Sequence, residues 1–161
     1  MSADGTLAPP GQASNAVTYN PAVAPTGARL AVTLTSSSGY TRARLDASGL
    51  LPDRGYAVHL HTTPCGPTGE AAGPHFQHDI DPAATPQQPS SNPAYANPDN
   101  EIWLDVQTDA NGAATSTTQV PFVFTDRVPG SVVVHENPVT ETVPGRAGKA
   151  GARLACLSLT R

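Results

Sequence analysis

The sequence has few aromatic residues, only two cysteines and no long hydrophobic segment. Aromatic residues make up 5% of the 161 residues, and no stretch is apolar enough or long enough to span a membrane. The net charge is −4 and lysine and arginine form no run, which excludes the basic surface of a nucleic-acid-binding protein. The N-terminus lacks the basic and apolar regions of a signal peptide.

Turn-forming residues are abundant instead. The chain contains 17 prolines and 14 glycines, which separate short stretches rich in valine, leucine and threonine. This composition predicts an all-β domain with long loops rather than a helical bundle. The length fits about one domain. We predict a flexible N-terminal tail over residues 1–14 and a single β domain over 15–161.

Period-2 alternation marks the predicted strands. In residues 28–35, Leu30, Val32 and Leu34 share one face, which is typical of a half-buried strand. Similar patterns predict further strands at 40–45, 56–61, 101–108, 113–120, 131–135 and 153–159. About eight antiparallel strands indicate a Greek-key sandwich or flattened barrel. Two long irregular segments, 62–100 and 136–152, are predicted to be functional loops.

Five histidines lie at strand ends or in the loops that follow strands. His59 and His61 share one face of a predicted strand, and His135 ends another. His75 and His78 lie in the first long loop. Each histidine alone is explained by a solvated face, a polar loop or a hydrogen bond at the rim. Together they favour copper or zinc over calcium or magnesium.

The two cysteines, Cys65 and Cys156, are far apart in the sequence. From the residues alone, buried free thiols and a single disulfide remain equally open. A disulfide would tie the first long loop to the last strand and would indicate an oxidising compartment.

Several segments, taken in order, resemble the signature segments of the Cu,Zn superoxide dismutases. The resemblance covers roughly residues 28–161. The segments that carry it are His59-Leu60-His61, Ala72-Gly73-Pro74-His75-Phe76, Val133-Val134-His135-Glu136 and Gly148-Lys149-Ala150-Gly151-Ala152-Arg153-Leu154-Ala155-Cys156.

The resemblance implies a Greek-key β-barrel and a redox copper site. Copper would be bound by His59, His61, His75 and His135. His75 would correspond to the histidine that bridges copper and zinc, and Arg153 to the arginine that guides superoxide to copper. The resemblance also implies a Cys65–Cys156 disulfide. We further expect a secreted protein, extracellular or periplasmic, whose signal peptide has been removed.

The zinc ligands of that family are incompletely matched. After His75 only His78 follows in the loop, and the segment after His135 lacks the aspartate that commonly links the two metal sites. This pattern resembles the copper-only branch, in which an acidic residue would orient His75. An alternative is zinc bound by His75, His78 and a nearby aspartate. The acidic candidates are Asp79, Asp81, Asp99 and Glu101.

The resemblance implies copper-dependent dismutation of superoxide to oxygen and hydrogen peroxide. One alternative is a copper-binding module for storage or delivery, and another is a structural barrel without metal. Trp103 alternates with buried positions, which predicts an exposed aromatic residue. The sequence gives no prediction of the oligomeric state.

Overall fold

A computed structural model of the protein describes residues 1–160. Over this range the chain forms ten β-strands and one short 3₁₀ turn, Gly69–Ala72, without any α-helix. No helix in the described part is long and apolar enough to cross a membrane. The strands are β1 (Ser2–Thr6), β2 (Ala16–Thr18), β3 (Arg29–Ser37), β4 (Tyr40–Ser48), β5 (Gly55–Tyr56), β6 (Val58–His61), β7 (Val106–Gln107), β8 (Ala114–Val120), β9 (Ser131–His135) and β10 (Arg153–Ser158).

Two four-stranded antiparallel sheets make up the fold. Their strand orders are β1-β3-β4-β8 and β2-β10-β9-β6, and β5 pairs with β7 in a separate two-stranded sheet. The alternation in β3 explains its place, because Leu30, Val32 and Leu34 are buried while Arg29, Thr33 and Thr35 face solvent. The predicted all-β class is confirmed, and the two sheets fit the sandwich form of the prediction.

The sheet β2-β10-β9-β6 is covered on both faces. Val58 and Leu60 of β6 and Val132 and Val134 of β9 point into the main core. Val133 points the other way and packs with Cys156 and Ala72 in a second apolar cluster. By the same alternation, His59, His61 and His135 project from the outer face. The long loop that follows β6 covers this face.

Two predicted segments differ from the structure. In the segment 1–14, predicted to be a flexible tail, Ser2–Thr6 forms β1 and pairs along its length with β3. This edge strand is held mainly by backbone hydrogen bonds, so its polar sequence carries no apolar alternation. The predicted strand at 101–108 is reduced to β7 plus isolated bridges. Its inward residues were predicted correctly, because Ile102, Leu104 and Val106 are buried.

Candidate metal centre

Four histidines converge on one point at the outer face of this sheet. His59 and His61 come from β6, His135 ends β9, and His75 reaches the same place from the long loop, where it bridges to His61. Each offers one ring nitrogen, and the four nitrogens lie within 4.8 Å of one another. Three ligands are therefore positioned by strand alternation and the fourth by the loop.

Two backbone carbonyls fix the tautomers of His61 and His135. His61 Nδ1 lies 2.8 Å from the Gly73 carbonyl oxygen, and His135 Nδ1 lies 3.2 Å from that of Gly151. A carbonyl only accepts hydrogen bonds, so Nδ1 carries the proton in both rings. Each Nε2 is therefore left with an unprotonated lone pair, and both lone pairs face the convergence point.

The two carbonyls belong to glycines with positive φ. Gly73 has φ 71° and Gly151 has φ 80°, a backbone region that favours glycine. A Cβ atom would also lie 2.5 Å from the Thr62 hydroxyl at Gly73, and 2.6 Å from Asn137 Oδ1 at Gly151. The absence of a side chain thus lets each carbonyl point at its histidine.

His59 has the opposite tautomer, set by Thr140 and Asp105. The Thr140 hydroxyl lies 2.6 Å from His59 Nε2 and 2.9 Å from Asp105 Oδ1. The hydroxyl has one proton, which it donates to the carboxylate, so it accepts a hydrogen bond from His59 Nε2. His59 Nδ1 is then unprotonated, buried and without any hydrogen-bond partner.

His75 is held by a buried carboxylate. Its Nδ1 donates to Glu101 Oε1 at 2.8 Å, and Glu101 is 1% exposed. Two further donors stabilise this charge: Trp103 Nε1 reaches Oε1 and the Gln77 amide reaches Oε2, each at 2.8 Å. Trp103 is half-buried rather than exposed as predicted, because its indole N–H serves this network. His75 therefore presents Nε2 to the other three rings.

The arrangement fits a metal ion bound by imidazole nitrogens. His61 Nε2 and His135 Nε2 are 3.2 Å apart, and two facing lone pairs at this distance repel unless a cation lies between them. Two ligands of one ion with metal–nitrogen bonds of ~2.0–2.1 Å would be separated by roughly 3 Å. Together with the unpartnered His59 Nδ1, this spacing indicates that the four histidines could hold one metal ion.

Burial keeps these rings neutral. It lowers the pKa of His59 and His61 well below the ordinary histidine value, and the neighbouring imidazoles act in the same direction. Burial also lowers the pKa of His135 to about 3. Neutral imidazole is the form that binds metal, so His59, His61 and His135 are in their binding form throughout the neutral pH range.

The other zinc candidates do not join this cluster. The His78 ring stacks on Phe122 at a centroid distance of 4.5 Å. Asp81 accepts hydrogen bonds from Ser90 and from the Ala83 amide, which makes it part of the loop's own turn. Asp79 and Asp99 are exposed. In the part of the chain that the structure describes, the only group of three or more possible metal ligands is the four-histidine cluster.

Arg153 lies next to the cluster at the start of β10. It pairs in register with His135, and its guanidinium donates to the Gly69 carbonyl at 2.9 Å. The Cys65–Cys156 disulfide closes the same loop against β10. Arg153 also lines a cavity of about 680 Å³ that contains His75 and His135, so the metal centre opens to solvent past this cation.

Some residues of this site were not found from the sequence. Thr140, Asp105, Gln77 and the carbonyls of Gly73 and Gly151 all act through hydrogen bonds that join distant segments. The sequence offered one local indication of these residues, their spacing. Glu101, Trp103 and Asp105 alternate with the buried residues of one extended segment. That alternation places all three on the side that faces the histidines.

Comparison with known sequences decides the family. A sequence model described as copper/zinc superoxide dismutase (SODC) matches residues 29–158. The chain belongs to this family. No curated protein sequence matches the chain.

Solved structures of the family share the fold. The Cu/Zn superoxide dismutase from Brucella abortus aligns with a TM-score of 0.61 at 17% identity, over 99% of this chain and 100% of that one. A SOD-like protein from Bacillus subtilis aligns with a TM-score of 0.55 at 16% identity, over 83% of this chain and 89% of that one. At these identities the likeness establishes the fold alone.

Proposed function

We propose that the protein is a copper-dependent superoxide dismutase that works without zinc. The observation that carries the proposal is the convergence of four unprotonated imidazole nitrogens, His59 Nδ1 and Nε2 of His61, His75 and His135. An all-imidazole set suits copper, and the family acts on superoxide. Bound copper would supply one-electron chemistry, taking an electron from one superoxide and giving it to the next, with oxygen and hydrogen peroxide as products.

His75 supplies a proton site at the edge of the cluster. It is the only one of the four ligands that comes from a loop, and it is the only one whose Nδ1 donates to a carboxylate. When Nε2 takes up a proton, the ring becomes an imidazolium that the Glu101 charge stabilises in place. Nε2 can then donate that proton to the reduced oxygen species in the adjoining cavity.

Glu101 does for His75 what a zinc ion would otherwise do. A cation at Nδ1 would fix the ring's orientation and keep the other nitrogen directed at copper. The buried carboxylate achieves the same by accepting the Nδ1 proton, and its three hydrogen bonds hold it rigidly. The sequence left Asp79, Asp81 and Glu101 as equal candidates, and this geometry supports Glu101.

Arg153 provides local attraction for the anion. The protein carries a net charge of −4, so overall charge opposes the approach of superoxide. The Arg153 guanidinium lies beside His135 and opens to the cavity, where it attracts an anion to the copper. The nearby Glu70 partly offsets this charge.

The disulfide also bears on where the protein works. Cys65 and Cys156 are paired, and disulfides persist in extracellular and periplasmic environments. We therefore infer that the protein is exported and meets superoxide outside the cytoplasm.

The decisive experiment loads the metal-free protein with copper alone and follows superoxide decay by pulse radiolysis. A fast rate with one copper and no zinc is expected. Arg153→Ala should lower this rate while stoichiometric copper is retained, and Arg42→Ala on the exposed face of β4 should leave it unchanged. A negligible rate with copper bound would refute the proposal, and indifference to Arg153→Ala would favour a copper storage or delivery module.

A further inference from the structure

The cavity over the metal centre is much larger than superoxide requires. Its volume is about 680 Å³, and it contains His75 and His135. A water molecule has a liquid volume of about 30 Å³, and a diatomic anion is of the same order. Cavities of about 300–1,000 Å³ are instead typical of sites for organic ligands, which combine apolar walls with a few polar groups.

One wall of the cavity is apolar. Ile80, Ala84, Pro86 and Pro89, all from the loop between β6 and β7, line it. Ile80 is 60% exposed, so its side chain is accessible to a ligand in the cavity. The prolines present rigid rings, so the wall offers a preformed surface for an apolar body.

The uncompensated charge of the cavity is positive. Six charged residues line it: Glu101, Arg127, Glu141, Arg146, Lys149 and Arg153. Glu101 accepts three hydrogen bonds, and Glu141 pairs with Arg146 at 2.7 Å. The Arg127 guanidinium donates to the carbonyls of Gln77 and His78.

The four lining cations outnumber the two lining carboxylates, and neither Lys149 nor Arg153 is within ion-pair distance of a lining carboxylate, although Lys149 lies near Glu141. Within residues 1–160 neither forms an ion pair, although Glu70 lies near Arg153 in a separate pocket. Both cations come from the segment 136–153, whereas the apolar residues come from the loop between β6 and β7. The cavity thus joins an apolar wall to a cationic one in a protein that is negatively charged overall.

We propose that this cavity binds an organic monoanion with an aromatic body, of the aryl carboxylate class. The ring would lie against Ile80 and the prolines, and the carboxylate would lie on the side of Lys149 and Arg153. A neutral ligand would leave both cations unused, and a small inorganic anion would leave the apolar wall in water. Because His75 and His135 lie in the same cavity, the bound ligand would restrict access to the metal centre.

The test uses 2-naphthoate with the metal-free, disulfide-bonded protein, so it does not depend on dismutase activity. Amide chemical shifts in ¹⁵N-labelled protein should move saturably at Ile80, Ala84, Lys149 and Gly151. The neutral analogue 2-naphthalenemethanol should bind at least about fivefold more weakly, because it lacks the charge that Lys149 and Arg153 attract. Lys149→Gln and Ile80→Ser should each weaken 2-naphthoate binding about 3- to 10-fold.

Arg42→Gln, at an exposed arginine of β4 that does not line the cavity, is the matched charge control and should bind normally. Both cavity substitutions are at exposed positions, and unchanged melting temperatures will show that each variant is folded. Shifts that do not saturate, that map elsewhere, or that survive both substitutions would overturn the proposal. Equal binding of the neutral analogue would overturn the requirement for an anion.

Discussion

At the scale of single residues, Thr140 determines which nitrogen His59 presents. Its hydroxyl connects His59 Nε2 to Asp105, and its backbone amide donates to the same carboxylate at 2.8 Å. Thr140→Val keeps the shape but removes the hydroxyl, which leaves a buried N–H without an acceptor. We expect copper affinity to fall about 10- to 100-fold, the range seen when a group supporting a metal ligand is lost.

Thr140→Ser is the matched control, because it restores the hydroxyl and should restore wild-type affinity. Copper affinity is measured by competition with a chelator, and the His59 tautomer by ¹⁵N shifts of the metal-free protein. A Val variant that kept both the affinity and the Nε2–H tautomer would contradict this role.

The effect of the Glu101 charge on His75 can be tested by a single substitution. In Glu101→Gln the side chain accepts hydrogen bonds only at its amide oxygen. Its NH₂ group then faces the Gln77 amide NH₂, so two donors oppose each other. His75 then loses the negative charge at Nδ1. We expect a changed His75 ¹⁵N shift, a shifted Trp103 fluorescence and weaker copper binding.

Asp79→Asn is the control for Glu101→Gln, since the sequence made Asp79 an equal candidate and the structure leaves its carboxylate exposed. It should match the wild type in all three measurements. A loss of copper affinity in Asp79→Asn, with Glu101→Gln unaffected, would reverse the assignment.

At the scale of structural elements, the segment 136–152 places the Gly151 carbonyl against His135 Nδ1, and so orients one ring of the metal centre. Gly145 and Gly151 both lie in this segment with φ near 80°, so alanine strains the backbone at either position. Only Gly151 also contacts Asn137 closely and directs its carbonyl at His135, whereas nothing lies within 4 Å of a Cβ atom at Gly145. Gly151→Ala should therefore lower both stability and copper affinity.

Gly145→Ala, the control, should lower stability alone. Thermal unfolding of the metal-free proteins and chelator competition separate the two effects. Equal copper affinities in the two variants would show that the Gly151 carbonyl does not orient His135.

The same elements show how far the sequence could predict the site. Strand periodicity is a local property, so it correctly predicted one shared face for His59 and His61, and the inward positions Ile102 and Leu104. The partner of His75 was not predictable from the sequence, because the path of a long loop decides which of Asp79, Asp81 and Glu101 comes to lie beside it. Here the loop places Glu101 beside His75 through the bridge of Gln77 to Glu101.

At the scale of the whole molecule, the fold holds neutral imidazoles together at a buried point. The sheet β2-β10-β9-β6 supplies three of them, and the disulfide and Arg153 fasten the loop that supplies the fourth. Without metal, this arrangement destabilises the folded state, because the rings are desolvated and the lone pairs of His61 Nε2 and His135 Nε2 face one another at 3.2 Å. A bound ion removes the repulsion and stabilises the folded state through its affinity.

The metal-free protein should consequently be sensitive to acid. Its folded state keeps His59, His61 and His135 unprotonated, since burial lowers the pKa of each and that of His135 to about 3. In the unfolded chain the same rings protonate near pH 6.5. Below that pH the unfolded state binds more protons, so the free energy of unfolding falls as the pH falls.

We expect this free energy to be constant above about pH 7.5 and to fall between pH 6.5 and 4.5, with a slope approaching about 4 kcal/mol per pH unit for three rings. Urea unfolding of the metal-free protein across this range measures the slope. His135→Gln should reduce it by about one third. A flat profile between pH 6.5 and 4.5 would mean that the folded protein protonates its histidines as readily as the unfolded chain, and the metal centre would then not be the preformed, neutral site that the hydrogen bonds define.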